Sequence, residues 1–261
     1  MKCKICNTEN KSCFSSKILN KYEINYFHCS KCDFLQTEEP YWLEEAYSNP
    51  INLSDTGYMV RNLNYSKKLT ILLRLLFDKN GMFLDYAGGY GVFVRLMRDR
   101  GFNFKWTDKY TQNLFAGGFE WDLKSNIEAV TLFEVFEHFV DPMCEIRNLL
   151  KFTDTIIFST ELHPNPLPQP KNWWYYGLEH GQHVSLYSKV TLSFIANEFG
   201  LNYYNIGSLH ILTKKRISKI ILIISRLNKF GFDNLFTKNI RSKTWSDHEF
   251  IKKNLFNENI L

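Results

Sequence analysis

Short apolar runs alternate with segments of helical spacing in the middle of this 261-residue chain, and this alternation limits the fold more than any other feature. Met82–Tyr86 is an apolar run, and the helical pattern of Val92–Arg100 follows it until Gly101 ends the helix. Later apolar runs with strand character are Phe102–Thr107, Ile127–Phe133 and Thr155–Ser159. Strands that alternate with helices build a mostly parallel sheet with right-handed crossovers. The sequence therefore predicts an α/β fold.

Hydrophobic spacing predicts further elements on both sides of this region. Additional helices are predicted at Val60–Phe77, Pro142–Phe152 and Thr191–Glu198. Two pairs of strands are predicted, one formed by Cys13–Leu19 with Ile24–His28 and one by Tyr203–Ile206 with Ile211–Thr213. Residues 241–253 are too polar for an assignment.

The first strand of the alternating region leads into a glycine-rich turn that contains Gly88, Gly89 and Gly91. Glycines there let the backbone approach a ligand, and the following helix offers free N–H groups. A dinucleotide fingerprint needs a third glycine where Val94 stands, which weakens that interpretation. Asp85 ends the strand, and its carboxylate would repel a pyrophosphate but can pair with the cationic amino acid portion of S-adenosylmethionine (SAM). A glycine-rich turn without a ligand is the alternative.

A second acidic residue, Asp108, closes the next strand, where a carboxylate can accept hydrogen bonds from ribose hydroxyls. Together with Asp85–Gly91, the segment Thr131–Pro142 and the segment Gly181–Ser188, it resembles the class I SAM-dependent methyltransferases over about residues 80–215. One residue departs from the family pattern, because Ala87 replaces the first glycine of the motif. The resemblance implies a Rossmann-like, seven-stranded, mostly parallel sheet. The implied cofactor-binding residues are Asp85, Tyr86, Ala87, Gly88, Gly89, Gly91, Asp108, Lys109, Phe133 and Glu134.

Candidates for a catalytic base lie at two places in the sequence. Methyl transfer from a sulfonium is an in-line displacement, so positioning supplies most of the catalysis, and a base helps when the acceptor is a hydroxyl. Histidine exchanges protons near neutral pH, and we rank His183 first, His180 second and His138 third. Glu134 and Glu137, which follow the predicted strand Ile127–Phe133, are further candidates. A structural hydrogen bond is the alternative for each histidine.

An aromatic segment precedes the last two of these histidines. Aromatic, amide and histidine side chains together suit a polar ring such as a sugar, although the aromatic residues could equally form core or a lid. The predicted substrate-binding residues are Trp173, Trp174, Tyr175, Tyr176, Glu179 and Gln182.

Two Cys-x-x-Cys pairs stand near the N-terminus, at Cys3 and Cys6 and at Cys29 and Cys32. Two such pairs joined by a hairpin can close a tetrahedral four-thiolate zinc site, whereas an iron–sulfur centre or a redox pair is the alternative. With four protein ligands the zinc would be structural, and it would replace a hydrophobic core that about 40 residues hardly build. Similar modules precede some sugar-modifying methyltransferases, which favours a carbohydrate acceptor.

Charge is concentrated in the C-terminal part of the chain. Residues 215–261 hold ten Lys and Arg against four Asp and Glu, and the remaining residues hold 22 against 23. The nearly neutral remainder does not favour a nucleic-acid surface. We expect a cytoplasmic protein without a transmembrane segment, because no export signal and no apolar stretch of about 20 residues is present. Ile217–Leu227 is apolar and lightly basic, so it could contact a membrane surface, or pack as an ordinary helix.

Four segments are predicted: a zinc-ribbon-like module at 1–40, a helical connector at 41–80, the SAM-binding methyltransferase domain at 81–214 and a basic helical extension at 215–261. The predicted function is O-methylation of a small molecule, such as a sugar, a nucleotide sugar or another precursor of a bacterial surface polysaccharide (capsule). An RNA or protein methyltransferase that docks through the zinc module, and a non-catalytic SAM-binding protein, are the alternatives. The sequence does not identify the acceptor or the oligomeric state.

Overall fold

The computed structural model describes residues 1–48, 54–78, 80–226, 231–238 and 240–257. The chain forms two compact units. Unit 1 comprises Met1–Ser54 and Leu132–Arg216, and unit 2 comprises Asp55–Thr131 and Ile217–Leu261. The four segments predicted from the sequence remain a prediction.

Ten strands and seven α-helices are defined in the described residues. The strands are β1 (Lys11–Ile18), β2 (Tyr22–His28), β3 (Leu35–Thr37), β4 (Met82–Tyr86), β5 (Asn103–Thr107), β6 (Ala129–Phe133), β7 (Thr155–Ser159), β8 (Ser185–Leu186), β9 (Asn202–Ile206) and β10 (Leu209–Thr213). The helices are α1 (Leu43–Ala46), α2 (Tyr58–Leu76), α3 (Val92–Asp99), α4 (Pro142–Leu149), α5 (Lys189–Glu198), α6 (Lys219–Ile224) and α7 (Thr244–Asn257).

A mixed six-stranded sheet has the strand order β5-β4-β6-β7-β10-β9. Strand β4 pairs in parallel with β5 and β6, whereas β10 pairs antiparallel with β7 and β9. The first three residues of β6 belong to unit 2 and its last two to unit 1. The α/β fold predicted from the alternation is confirmed, and so is the closing hairpin of β9 and β10.

The predicted count of seven strands is not confirmed, since this sheet has six strands in the described residues. After β5, only an isolated bridge between Trp106 and Glu120 continues the sheet outward. The intervening segment lacks an alternating apolar pattern and holds the turn residues Asn113, Gly117 and Gly118. Its backbone therefore returns to β5 at one point rather than along a strand.

Unit 1 contains a second, antiparallel sheet with the order β1-β2-β3-β8. The predicted N-terminal hairpin is confirmed as β1 and β2. Buried residues around this sheet form one core cluster, which includes Tyr26, Trp42, Tyr175 and Tyr176. The indole N–H of Trp42 donates to the carbonyl oxygen of Gly181 at 2.8 Å. The N-terminal sheet is thus packed within unit 1 on residues from the second half of the chain.

Unit 2 holds the parallel strands together with α2, α3, α6 and α7. The predicted helix at Val60–Phe77 is confirmed as α2, which buries apolar residues such as Leu69 and Leu72 but leaves Val60 exposed. The apolar segment Ile217–Leu227 forms α6 in part, and Leu227 lies outside the described residues. Among the described residues, no helix combines the length and apolarity that a membrane crossing requires.

Helix α7 occupies a segment that the sequence left unassigned. Asp247 of this helix is buried, and both of its carboxylate oxygens accept hydrogen bonds from the guanidinium of Arg98 at 2.7 Å. Arg95 donates to Asp247 as well, at 2.9 Å. These hydrogen bonds therefore attach α7 to α3, although Arg98 and Asp247 are 149 residues apart in sequence. The polar sequence of α7 gives no local indication of this contact.

We expect the substitution Asp247→Ala to lower the free energy of unfolding by about 3–5 kcal/mol, because it leaves the buried Arg98 guanidinium without its counter-charge. Urea denaturation followed by circular dichroism measures the change. Glu249→Ala is the matched control, since Glu249 lies on the same helix with its side chain 70% exposed. Equal stability of the two variants would show that this contact does not hold α7.

Candidate functional site

The turn after β4 has three residues in the left-handed region of backbone space: Ala87 at φ 55°, Gly89 at φ 55° and Gly91 at φ 83°. Glycine adopts this region without strain, whereas a residue with a Cβ does so at a cost. The one departure from the family pattern, Ala87, therefore occupies a position whose backbone favours glycine. Gly91 caps the N-terminus of α3, so the turn delivers the free N–H groups of that helix.

Gly88 has no room for a side chain. A Cβ atom there would lie 2.8 Å from Oδ2 of Asp85 and 2.9 Å from the ring of Trp106. The Asp85 side chain is 3% exposed, and its Oδ1 accepts a hydrogen bond from the Thr131 hydroxyl at 2.6 Å. Burial, with a smaller contribution from the charge of Asp108, raises the pKa of Asp85 to about 7. A cationic ligand group would stabilise the ionised form of this carboxyl, which fits the amino acid portion of SAM.

Asp108 has a structural task that the sequence did not reveal. Its Oδ2 accepts the N–H of Gly89 at 2.9 Å, and its Oδ1 accepts the N–H groups of Tyr110 and Thr111 at 2.7 and 2.9 Å. These bonds tie the turn after β4 to the turn after β5. A carboxylate offers about four lone-pair sites, so after these three bonds Asp108 can accept about one more, from a ribose hydroxyl.

Three further residues of unit 2 support the glycine turn and were not predicted. The Trp106 indole and the Thr111 hydroxyl both donate to the carbonyl oxygen of Gly89, at 2.9 and 2.8 Å. Tyr58, at the start of α2, lies near Asp85 and the Tyr90 backbone, and both affect its pKa. Burial and then the Asp85 charge raise the pKa of Tyr58 to about 12. No local pattern around these residues marks them in the sequence.

The other predicted cofactor residues are distributed over both units. Tyr86 ends β4 half-buried, and Lys109 is exposed with its ammonium 5.0 Å from the Tyr110 ring centroid. Phe133 is half-buried at the end of β6 in unit 1. Glu134 follows it in a left-handed conformation, at φ 54°. The structure thus brings the Asp85–Gly91 turn and Asp108 together within unit 2, and it places Phe133 and Glu134 in unit 1.

Glu134 is held by hydrogen bonds from two directions. The Ser159 hydroxyl donates to its Oε1 at 2.5 Å and accepts the Glu134 N–H at 2.9 Å. The Tyr175 hydroxyl donates to its Oε2 at 3.2 Å. The unusual backbone of Glu134 is thereby fixed by the side chains around it, as is typical of residues at functional sites.

Unit 1 also brings together the three histidines ranked as bases, here called the histidine cluster (His138, His180 and His183). The ring centroid of His183 lies 5.0 Å from that of His138 and 4.7 Å from that of His180. Burial lowers the pKa of all three, that of His138 to about 3. The imidazoles are therefore neutral at neutral pH.

The hydrogen bonds of the cluster distinguish the three imidazoles. His183 Nδ1 lies 2.6 Å from the Tyr175 carbonyl oxygen, so Nδ1 carries the proton and Nε2 keeps a lone pair. In contrast, His180 Nδ1 accepts the Gln182 N–H at 3.1 Å, which leaves the proton on Nε2. His138 Nδ1 bonds the Tyr47 hydroxyl at 2.9 Å, in either direction. His183 is therefore a base without rearrangement, and His180 is a hydrogen-bond donor.

Glu137 lies beside this cluster and is 0% exposed. Neither of its carboxylate oxygens has a hydrogen-bond partner among the described residues. Burial, with a contribution from Glu134, raises the pKa of Glu137 to about 8, whereas the nearby hydroxyls of Tyr175 and Thr160 lower it by less. The sequence marked Glu137 as one of the candidate bases after a strand but did not show that its carboxyl is buried.

The predicted substrate residues have different environments. Tyr175 and Tyr176 are buried in the core cluster of unit 1, in agreement with the core alternative. Gln182 is buried and donates to the Ala46 carbonyl oxygen at 2.7 Å. Trp174 is 74% exposed, Glu179 is exposed, and Trp173 packs partly against the core.

The four cysteines of the two pairs come together in unit 1. Their sulfur atoms all lie within 4.8 Å of one another, with Cys3 and Cys32 3.5 Å apart and Cys6 and Cys29 3.4 Å apart. Tetrahedral zinc with Zn–S bonds of about 2.3 Å needs a sulfur spacing of roughly 3.8 Å. The hydrogen bond between the Cys3 and Cys32 thiols lowers the pKa of Cys3 and raises that of Cys32, so the pair favours one thiolate on Cys3.

The two cysteine loops repeat one backbone design. The carbonyl oxygen of Cys3 accepts the Asn7 N–H at 2.9 Å, and that of Cys29 accepts the Asp33 N–H at 2.8 Å. Asn7 and Asp33 are both left-handed, at φ 58° and 57°. Asn and Asp tolerate this conformation better than other side chains. The repeated loops orient the four sulfur atoms toward one point, so the donor set fits a zinc ion.

The chain is similar to known methyl-transferring proteins. A family model described as "Methyltransferase domain" matches residues 59–206, more than half of the chain. Similar solved structures include an O-methyltransferase family protein from Burkholderia thailandensis, at 15% identity and a TM-score of 0.43, which covers 59% of this chain and 55% of that one. No curated protein matches the chain.

Two more solved structures extend the comparison. Magnesium protoporphyrin IX methyltransferase from Synechocystis PCC 6803, with bound SAH, has 14% identity and a TM-score of 0.43, and covers 65% of this chain and 90% of its own. The plantazolicin methyltransferase BpumL, in complex with SAH, has 9% identity and a TM-score of 0.48, and covers 74% of this chain and 82% of its own. The chain spans about half the length of the first two structures it matches, 55% and 53%.

Proposed function

The chain belongs to the methyltransferase domain family, and on that premise we propose that it transfers a methyl group from SAM to a hydroxyl group of a small molecule. SAM supplies a methyl group on a sulfonium, which is a good leaving group. The observation that carries the proposal is the buried Asp85 carboxyl beneath the glycine turn, with one hydrogen bond and a raised pKa. Such a group gains most from a cation, and the amino acid portion of SAM provides one.

Residues of unit 2 are proposed to hold the cofactor. Asp85 pairs with its ammonium group, and Asp108 accepts a hydrogen bond from a ribose hydroxyl with the oxygen lone pair left by the loop amides. The turn at Gly88, Gly89 and Gly91 leaves space for the cofactor because no side chain stands there. Tyr58 is a further candidate for a cofactor contact.

Unit 1 is proposed to supply the proton acceptor. His183 has a lone pair on Nε2, and its Nδ1–H bond to the Tyr175 carbonyl keeps that lone pair available. The nitrogen can take the proton of an acceptor hydroxyl as the oxygen attacks the methyl carbon. His180 donates a hydrogen bond instead. The ranking of His183 before His180 and His138 as the base remains a proposal, and the tautomers of His183 and His180 support it.

A sugar or a precursor of a bacterial surface polysaccharide is the proposed acceptor. Trp174 supports this, because an exposed indole of the size of a sugar ring can pack against the apolar face of one. The exposed Glu179 nearby in sequence can accept hydroxyl hydrogen bonds. We place the protein in the cytoplasm, where nucleotide-activated sugars are made.

The four cysteines are proposed to hold a structural zinc ion. All four tetrahedral positions would be filled by protein thiolates, so the ion would stabilise the N-terminal sheet and leave methyl transfer to other residues. Their sulfur spacing and the two matching loops support this assignment.

The first prediction concerns the pH dependence of cofactor binding. Below the Asp85 pKa of about 7, SAM must displace a proton from the carboxyl, so its affinity should fall by up to about tenfold per pH unit toward pH 5. Isothermal titration of the protein with SAM measures this slope. In Asp85→Asn the affinity should be lower, and its slope over the same range should vanish. An unchanged slope in the variant would contradict the assigned role of Asp85.

A second prediction concerns the proposed base. Asn at position 183 can still donate to the Tyr175 carbonyl but cannot accept the proton, so His183→Asn should lower kcat by about 10²–10⁴-fold and leave SAM affinity unchanged. Release of S-adenosylhomocysteine with nucleotide sugars as acceptors measures the rate. His248→Asn, at a histidine whose side chain is 58% exposed in α7, should keep full activity. Full activity in His183→Asn would remove this residue from the mechanism.

The third prediction concerns zinc. Cys29→Ser should reduce the zinc content by one ion per chain and lower the unfolding temperature, because three ligands bind the ion far more weakly than four. Elemental analysis and thermal denaturation measure the two effects. Cys144→Ser is the control at an exposed cysteine outside the group. The zinc assignment is wrong if both variants retain the same zinc content.

A further inference from the structure

Glu137 carries a fully buried carboxyl group whose oxygens have no close hydrogen-bond partner among the residues that the structure describes. An unsatisfied buried polar group costs about 1–3 kcal/mol, and more when it is charged. A residue kept at that cost in a cluster of polar side chains indicates a missing partner.

Two histidines of the histidine cluster surround the same space. His138 Nε2 lies 4.0 Å from Glu137 Oε1. One ligand atom each from Glu137, His138 and His183 lies within 4.8 Å of the others. Two ligand atoms about 2.1 Å from one ion stand roughly 3–4 Å apart, so a small closing movement of these side chains would bring all three into coordination distance.

The outer contacts of both histidines match those of metal ligands. A metal-binding imidazole usually bonds a carbonyl, a carboxylate or a similar group through its other nitrogen, which orients the ring. His183 does so through Nδ1 with the Tyr175 carbonyl, at 2.6 Å. His138 does so through Nδ1 with the Tyr47 hydroxyl, at 2.9 Å. Nε2 of His183 is therefore free to bind a ligand, and Nε2 of His138 is free when its Nδ1–H donates to the Tyr47 hydroxyl.

We propose that Glu137, His138 and His183 bind a divalent transition-metal ion. Two imidazoles and one carboxylate form a donor set of intermediate softness, which suits ions such as Zn²⁺, Co²⁺ or Fe²⁺. Three protein ligands leave coordination positions open for a small molecule. The site differs from the four-cysteine group in having nitrogen and oxygen donors only.

This inference goes beyond the proposed function and changes the task of one residue. A bound ion would occupy the Nε2 lone pair of His183, which the proposed function uses for proton transfer. A hydroxyl on an open position of the ion would have a lowered pKa, so the ion would replace His183 as the means of activating an acceptor. Metal binding and cofactor binding are measured separately, and failure of one leaves the other intact.

The experiment is a titration with CoCl₂ of protein that carries one zinc ion per chain, in the four-cysteine group, after a chelator has removed more weakly bound zinc, without SAM or an acceptor. The proposal expects one Co²⁺ per chain, with visible ligand-field bands but without the thiolate charge-transfer band that cobalt would show in the four-cysteine group. Glu137→Gln keeps the shape of the side chain and removes its charge, so the affinity for Co²⁺ should fall by about 100-fold or more.

Two controls make the outcome specific. Glu179→Gln removes an exposed carboxylate close to His180 in sequence and should bind Co²⁺ like the wild type. The thermal unfolding temperature of Glu137→Gln should be no lower than that of the wild type. This measurement tests whether the variant is folded. Uptake only with the thiolate band, no uptake at all, or equal affinity in a folded Glu137→Gln would each overturn the proposal. If Glu137→Gln is unfolded, His138→Gln takes its place with the same expected loss.

Discussion

The turn between β4 and α3 is the constraint on which the rest of unit 2 depends. Within five residues the chain must leave a buried strand, take three left-handed residues and begin a helix. The turn does not hold this path by itself. Asp108 binds its amide at Gly89, while Trp106 and Thr111 bind the carbonyl of the same residue. The position of β5 next to β4 thus determines the shape of the site that the turn forms.

Much of the fold follows from patterns that are local in sequence. The alternation of apolar runs and helices, the N-terminal hairpin and the closing hairpin all arise from spacing over fewer than 20 residues, and each is present in the structure. The two cysteine loops belong to the same class, because the spacing of each pair and a left-handed Asn or Asp determine the loop. Local chemistry is sufficient for these elements.

The features that sequence did not reveal depend on distant partners. Helix α7 is held by an ion pair with a residue 149 positions away, and the seventh strand is reduced to one bridge because its segment lacks an apolar repeat. The tautomers of His180 and His183 depend on a backbone amide and a backbone carbonyl, which no side-chain pattern encodes. The same applies to the two carboxylate oxygens of Glu137, whose lack of a close hydrogen-bond partner among the described residues only the packed structure shows.

In the six-stranded sheet, two residues that are not glycine adopt left-handed backbones directly after strands, Ala87 beyond β4 and Glu134 beyond β6. Such conformations cost of order 1–3 kcal/mol and persist only where the surroundings determine them. Ser159 and Tyr175 do this for Glu134, whose side chain would face elsewhere if its backbone relaxed. At Ala87 the hydrogen bonds of the neighbouring turn fix the backbone. The residue tolerates the strain because alanine has the smallest side chain after glycine. Both strands therefore end in a strained residue that the surrounding hydrogen bonds hold, at the carboxyl ends of strands, where α/β sheets bind their ligands.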